Sequence, residues 1–201
     1  MSDDNQYLEI FPTWLRSLGD DAEAFAALLT EPNLGRNAKE AVAGGINYLF
    51  KSLDLIPDGI DDIGYLDDAF VLRVAAEQAS GEDLEGVDTQ KLQILARLTN
   101  EAEQVRDFLG DDYGRLDGYV KGLRKGAARG RSVNDILDDE QTGSDLLSDV
   151  RGFAKTYESP GFAREEKNLV KLKAFFEFKL PDDVGPAGAA ERLTSSLPRS
   201  R

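Results

Sequence analysis

Residues 48–68 read YLFKSLDLIPDGIDDIGYLDD, a turn that sets Asp54, Asp58, Asp61, Asp62, Asp67 and Asp68 among Leu55, Ile56, Pro57, Ile60, Ile63 and Leu66. Carboxylates held this close repel one another unless something neutralises or solvates them. The patterns on either side are helical. Upstream, Leu34, Ala38, Val42, Ile46, Leu49 and Leu53 recur at the three- and four-residue spacing that gathers side chains on one helical face, with Asn33 as a candidate cap. Pro57 disfavours helical dihedrals at Ile56 and is expected to close that helix, and a second is expected from Leu66 to Ala79, stopped by Ser80 and Gly81.

The rest of the chain reads the same way. A short helix from Thr13 to Leu18, ended by Gly19, is expected before a second that starts at Asp20 and stops at Pro32. Asp88 can cap a long helix whose buried stripe is Leu92, Leu95, Leu98, Ala102, Val105 and Leu109, with Gly110 ending or bending it. Shorter helices are expected over 133–138 and 145–157, separated by Gly143, before the break at Pro160 and Gly161. A last helix carries Leu169, Leu172, Phe175 and Phe176 to Leu180. No segment alternates with period two, so the fold class is all-α, a multi-helix bundle built around an aspartate-rich helical hairpin. The organisation is an acidic helical region over 1–88, a helical region with a glycine-rich helix over 89–180, and a tail over 181–201 rich in Pro, Gly, Ala and Ser and expected to be disordered.

Composition narrows the chemistry. With 201 residues and 41% hydrophobic content the chain can bury a core of its own. It has no Cys and no His, which removes thiolate nucleophiles, thiolate zinc sites, imidazole acid–base catalysis and His-ligated metals. Any metal ligands would be oxygens, which suit Mg, Ca or Mn. The net charge of −14 lies entirely in the first region: residues 1–88 hold 19 Asp and Glu against 5 Lys and Arg, and the remainder 19 against 19. Such a surface repels nucleic acid and anionic lipid and attracts cations or basic proteins. The start, MSDDNQYLEI, does not resemble a secretory signal, and the most apolar helical stretch, Ala41 to Phe50, falls well short of the roughly 20 residues of a membrane span. A cytoplasmic location is the default expectation.

Tyr48, the run Asp54-Leu55-Ile56-Pro57-Asp58, Ile60, Gly64 and Leu66-Asp67-Asp68 resemble the signature of the YkvA-like family of bacterial domains. In that family a segment S-P-x-D-L-I-P-D, followed by I-P-x-x-G-x-L-D-D, links two helices. The resemblance covers about residues 36–79. It implies a helical hairpin and no established reaction, since the family is a domain of unknown function with some membrane-associated members. Ser52 stands where the family usually has its first Pro, and Gly59, Asp61 and Asp62 replace a mainly apolar, proline-containing stretch. The added carboxylates weigh against a membrane role and favour contact with a cation or a basic partner.

Two uses of the turn follow. Asp67 and Asp68 stand in the first turn of a helix, where negative charge meets the positive end of the dipole, and Asp58, Asp61 or Asp62 can bond backbone amides within the turn. Alternatively Asp54, Asp58, Asp67 and Asp68 form a hard-cation site, although the spacing is not that of an EF-hand. Gly110, Gly114, Gly118, Gly122, Gly126 and Gly130 recur at four-residue intervals, which favours a helix packed closely on another part of the protein or on a partner, a second copy included, over a flexible linker. Lys121, Arg124, Lys125, Arg129 and Arg131 form a basic run expected to face the acidic half of the same chain or of another copy, and nucleic-acid binding is not expected. Partner contacts are assigned to Asp61, Asp62, Lys121, Arg124 and Lys125. Tyr48 and Trp14 are core or interface residues. No nucleophile has a base beside it, so no catalytic residue is assigned. The leading expectation is a non-catalytic helical adaptor or inhibitor, and the alternative a carboxylate-based divalent-metal domain, such as a metal-dependent hydrolase.

Overall fold

The computed structural model describes residues 4–52 and 54–182, and the expected tail lies almost wholly outside them. The helices are α1 (Asn5–Ala26), α2 (Arg36–Tyr48), α3 (Leu66–Ser80), α4 (Thr89–Leu109), α5 (Tyr113–Leu123), α6 (Val133–Asp138), α7 (Glu140–Thr156) and α8 (Glu166–Lys179). A two-residue hairpin, β1 (Ala127–Ala128) antiparallel to β2 (Arg131–Ser132), joins α5 to α6. The molecule is an all-α bundle.

α3 is its axis. Every residue from Leu66 to Ala76 is buried, because α1, α2, α4 and α5 all pack around this helix. One hydrophobic cluster runs through both sequence regions, with Phe11, Phe70 and Phe108 at its centre and α8 docked on it through Phe176, which stacks on Phe70 at 5.1 Å.

Several boundaries differ from the sequence expectation, each for a tertiary reason. α1 is continuous through Pro12 and Gly19 because Phe11, Trp14, Leu15, Leu18, Ala22 and Phe25 form one buried stripe, and its burial outweighs the local breaking tendency. Gly19 serves packing instead: a Cβ there would lie 3.2 Å from the Ala154 Cα of α7. α2 is capped by Gly35 and not by Asn33, whose amide donates to the Gly86 carbonyl at 2.7 Å. It stops at Tyr48, well before Pro57. α7 begins at Glu140, with Asp139 as its cap, so that Gly143 lies inside it. Asp88 caps α4 as expected, its Oδ1 accepting from the Gln90 and Lys91 amides.

The glycine-rich segment departs furthest. Only Tyr113–Leu123 is an α-helix; Gly110, at φ +55°, terminates α4, and Gly130, at φ +77°, forms the hairpin turn. Tyr113, Leu116, Val120 and Leu123 face the core, while a Cβ at Gly114, Gly118 or Gly122 would meet nothing within 4 Å. The apolar residues won the buried face, and the glycines were left outside. Close approach is built on α2 instead, where a Cβ at Gly45 would lie 2.6 Å from that of Ala75 on α3 and one at Gly44 would lie 2.9 Å from the Leu123 backbone. Gly118→Ala is therefore expected to stabilise the fold by about 0.5–1 kcal/mol, read as a raised denaturation midpoint at unchanged slope.

Candidate functional site

Between α2 and α3 the chain folds onto a buried tyrosine–carboxylate clamp. The Tyr48 hydroxyl donates to Asp67 Oδ2 at 2.6 Å and accepts the Leu55 amide at 2.8 Å, and Asp67 Oδ2 also accepts the Ile56 amide at 2.9 Å. Two successive amides of the Asp-Leu-Ile-Pro run are thus anchored, and Leu55 and Ile56 drop into the core. Beyond Pro57 the turn closes on itself through Ile60 N–H to the Pro57 carbonyl and Gly64 N–H to the Ile60 carbonyl. Asp62 and Tyr65 adopt left-handed dihedrals at φ 72° and 65°. The space at residue 64 admits only glycine, since a Cβ would lie 2.3 Å from the Asp58 carbonyl oxygen. Gly64→Ala should destabilise by about 1–3 kcal/mol or more, whereas Gly59→Ala, where nothing lies within 4 Å, should stay within about 0.5 kcal/mol in the same urea titration.

The candidate residues occupy very different surroundings. Asp67 and Asp68 are buried in the first turn of α3, Asp54 is half-buried, and Asp58 and Asp61 are exposed. Asp62 accepts the Ala163 amide at 2.6 Å, tying the turn to the segment before α8. Burial, followed by the charge of Asp58, pushes Asp54 up to about 6, with Lys51 opposing. Burial raises Asp67 against the hydrogen bonds from Tyr48 and Ile56, and raises Asp68 well above the carboxylate range, reinforced by Asp67, Asp58 and Asp54. Asp67 Oδ1 is buried and has no hydrogen-bond partner among the described residues. Among the described residues, no group of three or more Asp and Glu side chains is arranged to hold a metal ion.

These shifts fix the sign of a pH dependence. The native state holds protons on Asp54, Asp67 and Asp68 that the unfolded chain releases near pH 4. Between that pH and about 6 for Asp54, and further up for the buried pair, the native state therefore binds more protons, and stability falls as pH rises. The melting temperature should be higher at pH 5 than at pH 8 by about 5 °C. Asp68→Asn should flatten that slope and raise the pH 8 value. Asp135, Asp138 and Asp139, held below the ordinary range by hydrogen bonds with Ser132, Arg36 and Thr142 respectively, act only at lower pH.

The outer side of the turn borders a cleft of about 380 Å³, within the range of small-ligand sites. Asp58 and Tyr65 line it from the turn, Phe50 from the end of α2, Arg129 from the hairpin tip, and Asp149 and Phe153 from α7. Arg129 sits at φ 49°, with its guanidinium over the Phe50 ring at 5.0 Å. Asp149 pairs with Arg131 at 2.8 Å. Partial desolvation raises Asp58, exposed though it is, against a hydrogen bond with Tyr65, and burial raises Tyr65, with the charge of Asp58 raising it further. Sequence reasoning assigned Asp58 but not the other walls, since they come from four separated segments and carry no common spacing. In the basic run, Arg124 reaches Glu82 at 3.4 Å, inside the acidic region, while Lys121 and Lys125 are exposed.

A family described as a protein of unknown function, DUF1232, matches residues 38–73. That stretch runs from Ala38 in α2 to Arg73 in α3 and takes in the clamp, the turn and Asp54, Asp58, Asp67 and Asp68. The hairpin thus matches a domain of unknown function, with the rest of the bundle outside the match. No curated protein and no solved structure matches the chain. Among the described residues, no helix is long and apolar enough to cross a membrane.

Proposed function

We propose that the chain is a non-catalytic helical interaction or regulatory protein, an adaptor or inhibitor, that offers the outer edge of its acidic turn to a basic protein partner. The observation that carries this reading is the division of labour within the turn. Asp67 and Tyr48 hold it from behind, while Asp58 lines the cleft and Asp61 is exposed to solvent. A surface held in one conformation loses little entropy on binding. The charge of −14 favours basic partners kinetically as well. The hairpin fits the YkvA-like pattern, and a bacterial, cytoplasmic setting belongs to the same reading. Affinity capture with the full chain, against Asp58→Lys with Asp61→Lys, tests it: a partner should be retained by the native chain, released by salt and lost with the reversed charges. Identical retention by both chains would sink the proposal.

The crowding of Asp54, Asp58, Asp67 and Asp68 favours a second reading, a Mg, Ca or Mn domain. Thermal melts of chelator-treated protein separate the two. A saturable, ion-selective rise that Asp58→Asn abolishes would favour the metal reading; the interaction reading expects no selective rise.

A further inference from the structure

We infer that the cleft between the acidic turn, the β1–β2 hairpin and α7 is a recognition pocket for a single guanidinium or alkylammonium side chain of the basic partner, and that Arg129 occupies it in the free protein. This rests on the interaction reading and gives it a specific contact.

Three observations meet here. The cleft of about 380 Å³ has the volume for one long side chain with part of its backbone. Its walls combine aromatic rings, Phe50, Tyr65 and Phe153, with the carboxylate of Asp58, a composition that attracts a cation through ring faces and charge, while the Asp149 carboxylate is already paired with Arg131. The Phe50 ring already carries guanidinium groups of the chain's own, Arg129 at 5.0 Å and Arg131 at 5.6 Å from its centroid, and of the two Arg129 lines the cleft.

The two arginines differ. Arg131 is fixed by its ion pair with Asp149 at 2.8 Å. Arg129 is exposed, stands at φ 49° on the tip of the hairpin and makes no ion pair among the described residues. Among the described residues no ion pair or side-chain hydrogen bond adds to its contact with Phe50, so it can swing out as an incoming cation takes the ring face. Asp58 then supplies the facing carboxylate, and the Tyr65 hydroxyl beside it supplies a hydrogen-bonding wall. An internal occupant lowers apparent affinity by the fraction of time it fills the site, so removing it should tighten binding.

The test is an amide NMR titration of the full chain with N-acetyl-arginine methylamide, run beside the norleucine and glutamate analogues. The expected result is saturable shifts at Gly59, Gly152 and Phe153 with the arginine compound alone, a roughly three-fold or greater tightening in Arg129→Ala, and loss in Asp58→Asn. Equal shifts from the norleucine analogue would overturn the inference by making the cleft merely apolar. Binding of the glutamate analogue, abolished in Arg129→Ala, would overturn it in favour of an anion site. If the arginine compound fails to bind while charge reversal at Asp58 and Asp61 still releases a captured partner, the pocket assignment falls and the interaction reading stands; if both fail, both fall.

Discussion

Tyr48→Phe is expected to destabilise the protein by about 2–4 kcal/mol, although it deletes one oxygen atom and leaves the ring in place. The hydroxyl lies at the junction of two buried groups, donating to Asp67 Oδ2 at 2.6 Å and accepting the Leu55 amide at 2.8 Å. Without it the Leu55 amide is buried with no acceptor, and Asp67 keeps only the Ile56 amide on that oxygen. Each loss is a desolvation cost on the order of 1–3 kcal/mol. Asp67 also loses a bond that holds its pKa down, so its proton is retained to still higher pH and the loss of stability with alkalinity should steepen. Urea denaturation at pH 6 and pH 8 measures both effects. A cost under about 0.5 kcal/mol at both pH values would show that the clamp does not hold the turn.

Arg73→Met should cost about 3–5 kcal/mol, the range for removing one partner of a buried ion pair. The Arg73 side chain is 0% exposed within α3, yet it pairs with Asp21 of α1 at 3.2 Å and with Glu101 of α4 at 2.6 Å. Arg97 pairs with the same two carboxylates, closing a ring of alternating charge that ties α1, α3 and α4 together. The Arg73 guanidinium also lies 4.0 Å from the centroid of the Trp14 ring. Burial lowers the Arg73 pKa, and Glu101 and Asp21 counter that. Met fills comparable space but strands Asp21, whose side chain is 3% exposed, with Arg97 and Ser17 alone. A double-mutant cycle with Glu101→Gln should give a cost below the sum of the single changes by about 1 kcal/mol or more, because both remove the same pair. Strict additivity would mean that the ring contributes no coupling.

The two predictions probe features of unequal legibility. The clamp lies in the segment from Tyr48 to Asp68 that sequence reading singled out, and its turn between two helices is where the pattern placed it. What reading missed was the role of the parts. Tyr48 and Asp67 are nineteen positions apart, and only the reversal of the chain brings the phenol onto the carboxylate. Arg73 was not singled out at all. A lone arginine in an apolar helix looks like a side chain that will snorkel to water. Its burial follows from α3 being enclosed by four other helices, a property of no local window.

The all-α class, the hairpin, the Asp88 cap and the acidic first region were legible along the chain, because periodicity, side-chain caps and charge are carried by residues near one another in it. Which boundaries held and which faces were buried depended on packing between distant segments. α1 continues through Pro12 and Gly19 because its apolar stripe has a core to enter, and the regular glycines of α5 point outward because Leu116, Val120 and Leu123 bury more apolar surface than glycine can. The cleft is likewise tertiary: its walls come from the end of α2, the acidic turn, the hairpin tip and α7, and their convergence depends on long-range packing that no spacing along the chain encodes.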